Sequence, residues 1–183
     1  MRRLVTVSLA FLVSMLAGYA AAGGHAYVGV KTCTPCHKSE KQGKAQPIWQ
    51  ASEHAKAFST LKTPEAQKVA EKAGVKGAAS EAPQCLKCHV TGAGAPAADL
   101  KPTFVKEDGV QCETCHGPGS DYKAMSVMKD KAKAVAAGLI LPSVSDGSAE
   151  KLCKTCHNPQ SPTFKSFNFK ESWQKIAHPV PKA

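Results

Sequence analysis

Gly109-Val110-Gln111-Cys112-Glu113-Thr114-Cys115-His116-Gly117-Pro118-Gly119 holds at its centre two cysteines three positions apart, with a histidine directly after the second. The same Cys-x-x-Cys-His pattern recurs at Cys33-Thr34-Pro35-Cys36-His37, Cys85-Leu86-Lys87-Cys88-His89 and Cys153-Lys154-Thr155-Cys156-His157. The chain has eight cysteines, and these four copies use every one. A single copy is a modest hint, whereas four copies with no cysteine left over form a strong signal.

The spacing has a chemical reading. Two thiols can add across the two vinyl groups of a haem and leave two thioether links. The two residues between them set the reach along one porphyrin edge, and the following histidine then lies beneath the ring and binds the iron. Cys33, Cys36, Cys85, Cys88, Cys112, Cys115, Cys153 and Cys156 are therefore the expected attachment points for four covalent haem c groups. His37, His89, His116 and His157 are the expected proximal iron ligands. A disulfide framework would not require a histidine after every second cysteine. Zinc sites with paired Cys-x-x-Cys belong mostly to reducing compartments. Thioredoxin-like redox motifs do not come four to a small chain that lacks a βαβ pattern.

The start of the chain fits this chemistry. Arg2 and Arg3 precede an apolar run from Leu4 to Leu16, and Ala20-Ala21-Ala22 offers small residues for cleavage. This reads as a secretory signal peptide over residues 1–22, leaving residues 23–183 as one tetrahaem domain. An uncleaved anchor is the alternative. No second apolar stretch of that length follows, so no membrane span is expected once the signal is removed. Haem attachment takes place outside the cytoplasm, so the periplasm is the expected location, with an extracellular or outer-surface position as the alternative.

Composition points the same way. The 183 residues include 14 Gly and 12 Pro and few large apolar side chains. A protein-only core would be marginal, so a non-protein group is expected to supply buried apolar area. The formal net charge of +10 invites a nucleic-acid reading. Loss of the signal removes two of those charges, and four haems add propionates worth roughly −8 when ionised. The lysines are spread rather than clustered, so no nucleic-acid binding is expected; they suit the steering of an acidic redox partner instead.

Apolar spacing predicts a helix from Pro47 through Leu61 that carries Ile48, Trp49, His54 and Phe58. Thr63-Pro64-Glu65 predicts a cap and a helix over residues 64–73 that stops at Gly74. Residues 91–102 read as a flexible surface stretch, and residues 104–110 as a short strand or extended segment. Gly117-Pro118-Gly119 forces a turn. Ser120 or Asp121 is expected to cap a helix carrying Met125, Met128 and Val135 that ends near Gly138, and Ser148 to cap the helix of the fourth motif. A last helix is expected over residues 169–177, with Pro179 beyond it. The fold class expected is mainly α: a multihaem cytochrome c fold of short helices and irregular loops wrapped around four haems, with little or no β-sheet.

Seven histidines are present, and three lie outside the motifs: His25, His54 and His178. Each is a candidate sixth ligand, because a neutral imidazole binds iron well and a haem with histidine on both faces is saturated and suited to electron transfer. His54 and His178 are expected on amphipathic helices, and His25 in a terminal arm. Three such residues cannot cap four haems within one chain. One iron must be five-coordinate, be bound by methionine, or be capped by a neighbouring molecule. Met125 and Met128 are the thioether candidates, with core packing as their simpler role.

Tyr27-Val28-Gly29-Val30, the run from Trp49 through His54 to Phe58, Cys88-His89-Val90-Thr91-Gly92, and the Gly109–Gly119 element quoted first resemble the tetrahaem cytochrome c-554 family. The resemblance covers most of the residues after the signal, in order, and Cys-Glu-x-Cys-His-Gly-Pro-Gly is its most specific part. It implies periplasmic electron shuttling, for example away from hydroxylamine oxidoreductase, and related tetrahaem proteins polymerise into extracellular filaments. It also implies His54 as a distal ligand reaching the haem of another motif, a late helix donating His178, and a five-coordinate haem at His89. The family places a further distal histidine about ten residues after the third motif, where this chain has Ser126. His25, Met125, Met128 or a neighbouring subunit would have to replace it.

The expected function is therefore one-electron transfer through closely stacked haems between redox partner proteins, without catalysis. The rivals are reduction of nitric oxide, nitrite or peroxide at a five-coordinate haem, and a homo-oligomeric filament in which His25 caps a haem of the next molecule.

Overall fold

A computed structural model describes residues 24–179, so the expected signal peptide over residues 1–22 lies outside the described residues. Ten short helices follow one another: α1 (Val30–His37), α2 (Ala45–Ala51), α3 (Ala57–Thr60), α4 (Pro64–Lys72), α5 (Pro83–His89), α6 (Cys112–His116), α7 (Met125–Met128), α8 (Lys131–Ala136), α9 (Ser148–Cys153) and α10 (Phe169–Ile176). The extended pairing among the described residues is a single parallel bridge between Tyr27 and Leu100. The protein is mainly α, as its sequence predicts.

The motifs decide where several helices sit. α1 and α5 each contain a whole Cys-x-x-Cys-His, and α6 is nothing else. Helical backbone brings positions i and i+3 to one face, which aligns the two sulfurs of a motif. In the fourth motif the helix ends at Cys153, and the chain turns so that the His157 amide donates to the Cys153 carbonyl at 3.0 Å.

Local chemistry explains the remaining boundaries. Thr63 caps α4 by accepting from the Ala66 amide, and Pro64 fills the first turn, as predicted. Asn168 caps α10 in the same way through the Glu171 amide. Elsewhere the structure corrects the predictions. The single helix expected over residues 47–61 is two, α2 and α3, because Ser52 turns extended and its hydroxyl donates to the Trp49 carbonyl at 2.6 Å. The helix expected to start at Ser120 or Asp121 is α7 and α8, divided at Asp130, whose carboxylate accepts from the Lys133 amide and caps α8. Residues 104–110 form no strand; Lys106–Asp108 is a turn of 3₁₀ helix. The stretch from Thr91 is anchored at both ends. The Thr91 amide donates to the Gly109 carbonyl at 3.0 Å, and the Lys101 amide to the Tyr27 carbonyl at 2.9 Å.

The apolar core is small, as the composition predicts. Its contiguous cluster is Leu61, Ala70, Val75, Ala79 and Ala82, with Cys85 and Leu86 packed against it. Three of those five buried residues are alanines, each with only a methyl group to withdraw from water.

Candidate metal centre

The motif histidines are individually oriented. His89 Nδ1 lies 2.7 Å from the Ala57 carbonyl, and His116 Nδ1 lies 2.8 Å from the Ile140 carbonyl. His37 is bonded to the backbone of Gln42. An imidazole that donates Nδ1–H to a carbonyl is fixed in the tautomer that leaves Nε2 open to a metal. His157 is held differently: its ring stacks on Phe167 with centroids 4.6 Å apart and planes within 12°.

Two of the spare histidines meet two of the motif histidines. The His54 and His157 ring centroids are 6.0 Å apart, and those of His116 and His178 are 5.9 Å apart. Metal–imidazole bonds of about 2.0 Å, with each ring centre roughly 1 Å behind its donor nitrogen, put two trans imidazoles with centroids about 6 Å apart. The centroid spacing of both pairs matches that separation, with ring planes at 62° and 48°.

Neither His54 nor His178 lies on a helix, contrary to the sequence expectation. His54 sits in the turn between α2 and α3. Its carbonyl accepts from the Ala57 amide at 3.2 Å and the Val110 amide at 3.0 Å, while Trp49 Nε1 donates to the Val110 carbonyl at 2.7 Å. Gly109, at φ +70°, makes this approach possible, since a Cβ there would fall 2.7 Å from the His54 carbonyl oxygen. His178 follows Ala177, the extended residue that ends α10, and precedes Pro179, which excludes His178 from helical backbone. Burial holds both imidazoles below the ordinary histidine pKa, assisted by His157 for His54 and by His116 for His178. Each is thereby kept in the neutral form that binds metal.

His25 is anchored by its Nδ1, 2.8 Å from the Asp121 carboxylate, with its side chain 46% exposed. The carboxylate fixes Nδ1 and leaves Nε2 available. Met125 is 62% exposed to solvent on the protein surface.

The motif cysteines are all unpaired thiols, so they form no disulfide framework. They come together across motifs, Cys33 beside Cys112 and Cys88 beside Cys156. The Cys112 contact and then burial push the Cys33 thiol up, and burial pushes Cys88 and Cys115 up to about 11. No group of three or more His, Cys, Asp or Glu among the described residues is arranged around a bare ion. The donor set suits a flat metallomacrocycle gripped at one edge by two sulfurs, not a tetrahedral zinc.

The sequence did not reveal a buried polar clasp beside the third motif. The Glu113 carboxylate accepts from the Val28 amide at 2.8 Å, the Gly29 amide at 2.8 Å and the Gly119 amide at 2.7 Å. Gln111 accepts from the Val30 amide at 2.7 Å and donates to the Val105 carbonyl at 2.8 Å. The only signal available was a carboxylate between the two cysteines of one motif.

The profile of the family described as "Cytochrome c554 and c-prime" matches residues 32–117, which include His54 and the first three motifs. Cytochrome c-554 of Nitrosomonas europaea is 29% identical over 160 residues, covering 81% of this chain and 64% of the relative. Over these residues the chain is similar to the cytochrome c-554 family. The paired sulfurs and the neighbouring imidazoles fit covalently bound haem c. The chain spans about 64% of the length of this relative. No solved structure matches it significantly. No helix among the described residues is long and apolar enough to cross a membrane.

Proposed function

We propose that this protein is a cytochrome of the c-554 kind, a tetrahaem electron carrier of the periplasm. The observation that carries the reading is the 5.9–6.0 Å spacing of the two His pairs, each joining a motif histidine to a spare one. Each haem c supplies an iron that changes by one electron between ferric and ferrous. Cys33 and Cys36, Cys85 and Cys88, Cys112 and Cys115, and Cys153 and Cys156 hold one group each. His37, His89, His116 and His157 are the proximal ligands. His54 caps the iron of His157, and His178 caps that of His116, so both close their sites to small molecules.

His25 is the third sixth ligand, oriented by Asp121, and the His89 iron stays open on its second face. The contacts of Cys33 with Cys112 and of Cys88 with Cys156 favour close haem-to-haem approach between the first and third motifs and between the second and fourth. The partners are a donor and an acceptor protein, with lysines available to meet acidic surfaces.

Mass spectrometry of the mature protein tests the haem count, expecting four haem additions. Electron paramagnetic resonance tests the ligation, expecting one high-spin iron in four. A colourless product from a cell competent in cytochrome maturation would end this reading. The His89 iron, left without a sixth ligand on this assignment, would admit a second reading, reduction of a small molecule such as nitrite or nitric oxide. Steady turnover of these with a reduced donor would select that reading, and reduction without turnover would select the carrier.

A further inference from the structure

Residues 28–30 are the last of the N-terminal arm and the first of α1, and their three consecutive amides all point at side chains of the third motif region. Glu113 takes the amides of Val28 and Gly29, and Gln111 takes that of Val30. Glu113 also takes the amide of Gly119 beyond the Gly-Pro-Gly turn. The first amides of a helix have no partner within it, and α1 has no capping side chain of its own at Gly29. Its first amide, that of Val30, is taken by Gln111 from 81 residues away, and the amides of Gly29 and Val28 just before it by Glu113, the glutamate inside Cys112–Cys115. Gly29, at φ +81°, is required there, because a Cβ would fall 2.8 Å from the Thr103 carbonyl oxygen.

Glu113 is 2% exposed, faces no cation within hydrogen-bond range, and accepts only from neutral N–H groups. A carboxylate is an acceptor-only group, and three amide donors match its ionised form. Its charge is therefore stabilised but not cancelled, in a place water does not screen. It sits between the two cysteines that grip the third haem, and its bonds reach the helix that grips the first. A fixed anion near an iron favours the ferric over the ferrous state and lowers the reduction potential.

Resting on the tetrahaem reading, we propose that Glu113 is a positioning residue with an electrostatic role. It clasps the first haem motif to the third, and its buried charge lowers the potential of the haem bound by Cys112 and Cys115 below that of a neutral site.

The test is a spectroelectrochemical titration of the purified four-haem protein beside Glu113→Gln, Glu113→Asp and the exposed control Glu65→Gln. Glu113→Gln removes the charge and keeps one acceptor oxygen. It is expected to shift one haem wave to higher potential, with the number of low-spin irons unchanged. Glu113→Asp keeps the charge and shortens the clasp. It is expected to lower the melting temperature and leave that wave near its original position. Glu65→Gln is expected to move nothing. Should Glu113→Gln not assemble, Gln111→Glu adds a second carboxylate to the same stretch and is expected to shift the wave downward. Unmoved waves in Glu113→Gln, or in Gln111→Glu, overturn the assignment. A wild-type product carrying fewer than four haems instead overturns the tetrahaem reading beneath it, so the two failures are distinct.

Discussion

The ring centroids of His54 and His157 lie 6.0 Å apart, edge to face at 62°, although 103 positions part them in sequence, one in a turn after α2 and the other beyond α9. This spacing fits one iron held from both sides. Replacing His54 with alanine is expected to convert one low-spin iron to high-spin, and His178→Ala to do the same at the His116 iron. Paramagnetic resonance of each variant checks both. An unchanged spin count in either would remove that histidine from the ligand set.

Gly109 controls how His54 is presented. Its φ of +70° and the 2.7 Å approach to the His54 carbonyl leave no room for a side chain. Gly109→Ala is expected to cost of the order of 1–3 kcal/mol for the backbone conformation alone. It should also raise the high-spin fraction by moving the turn, which thermal unfolding and visible spectroscopy would show together.

Phe167 is the support of His157. Stacked at 4.6 Å with planes within 12°, it holds a ring whose orientation the other motif histidines take from a carbonyl. Phe167→Leu keeps most of the apolar contact and removes the aromatic term, worth about 1 kcal/mol. The expected result is a small fall in melting temperature with the fourth haem still low-spin.

His25 is expected to account for the third capped iron. His25→Ala should raise the high-spin count from one to two in every four irons, whereas His25 acting only as a surface partner of Asp121 would leave it at one. The same variant tests the filament reading, which requires that its loss abolish assembly observed for the wild type.

Acid should open the capped sites. Burial lowers the pKa of His54 and His178 in the fold, below the unfolded value of about 6.5. Their contribution to stability is thus complete above about 6.5 and is lost as the pH falls through the lower folded value. Iron binding to the neutral ring carries that loss further into acid. A pH titration followed by visible spectroscopy is expected to show low-spin signal disappearing on acidification and none lost between pH 7 and 8.

The motifs themselves were fully legible in the sequence. Cys-x-x-Cys-His is a local pattern whose chemistry lies within five residues, so the mainly helical class and the thin core were expected with it. Thr63 and Pro64 likewise announced α4, because a cap is decided by its own neighbours. The helix over residues 47–61 failed for the complementary reason. Its apolar spacing was right for α2, but the hydroxyl of Ser52 and the backbone of Gly109 and Val110 decide where the chain turns.

The sequence by itself determined what each motif can hold, since two thiols and an imidazole at fixed spacing need nothing from elsewhere in the chain. Only the tertiary structure decided which spare imidazole lies beside which motif histidine, and that Gln111 and Glu113 take the amides at the start of α1. Those relationships are set by the closure of long loops and by the burial of groups that must then find partners. No local pattern encodes that choice.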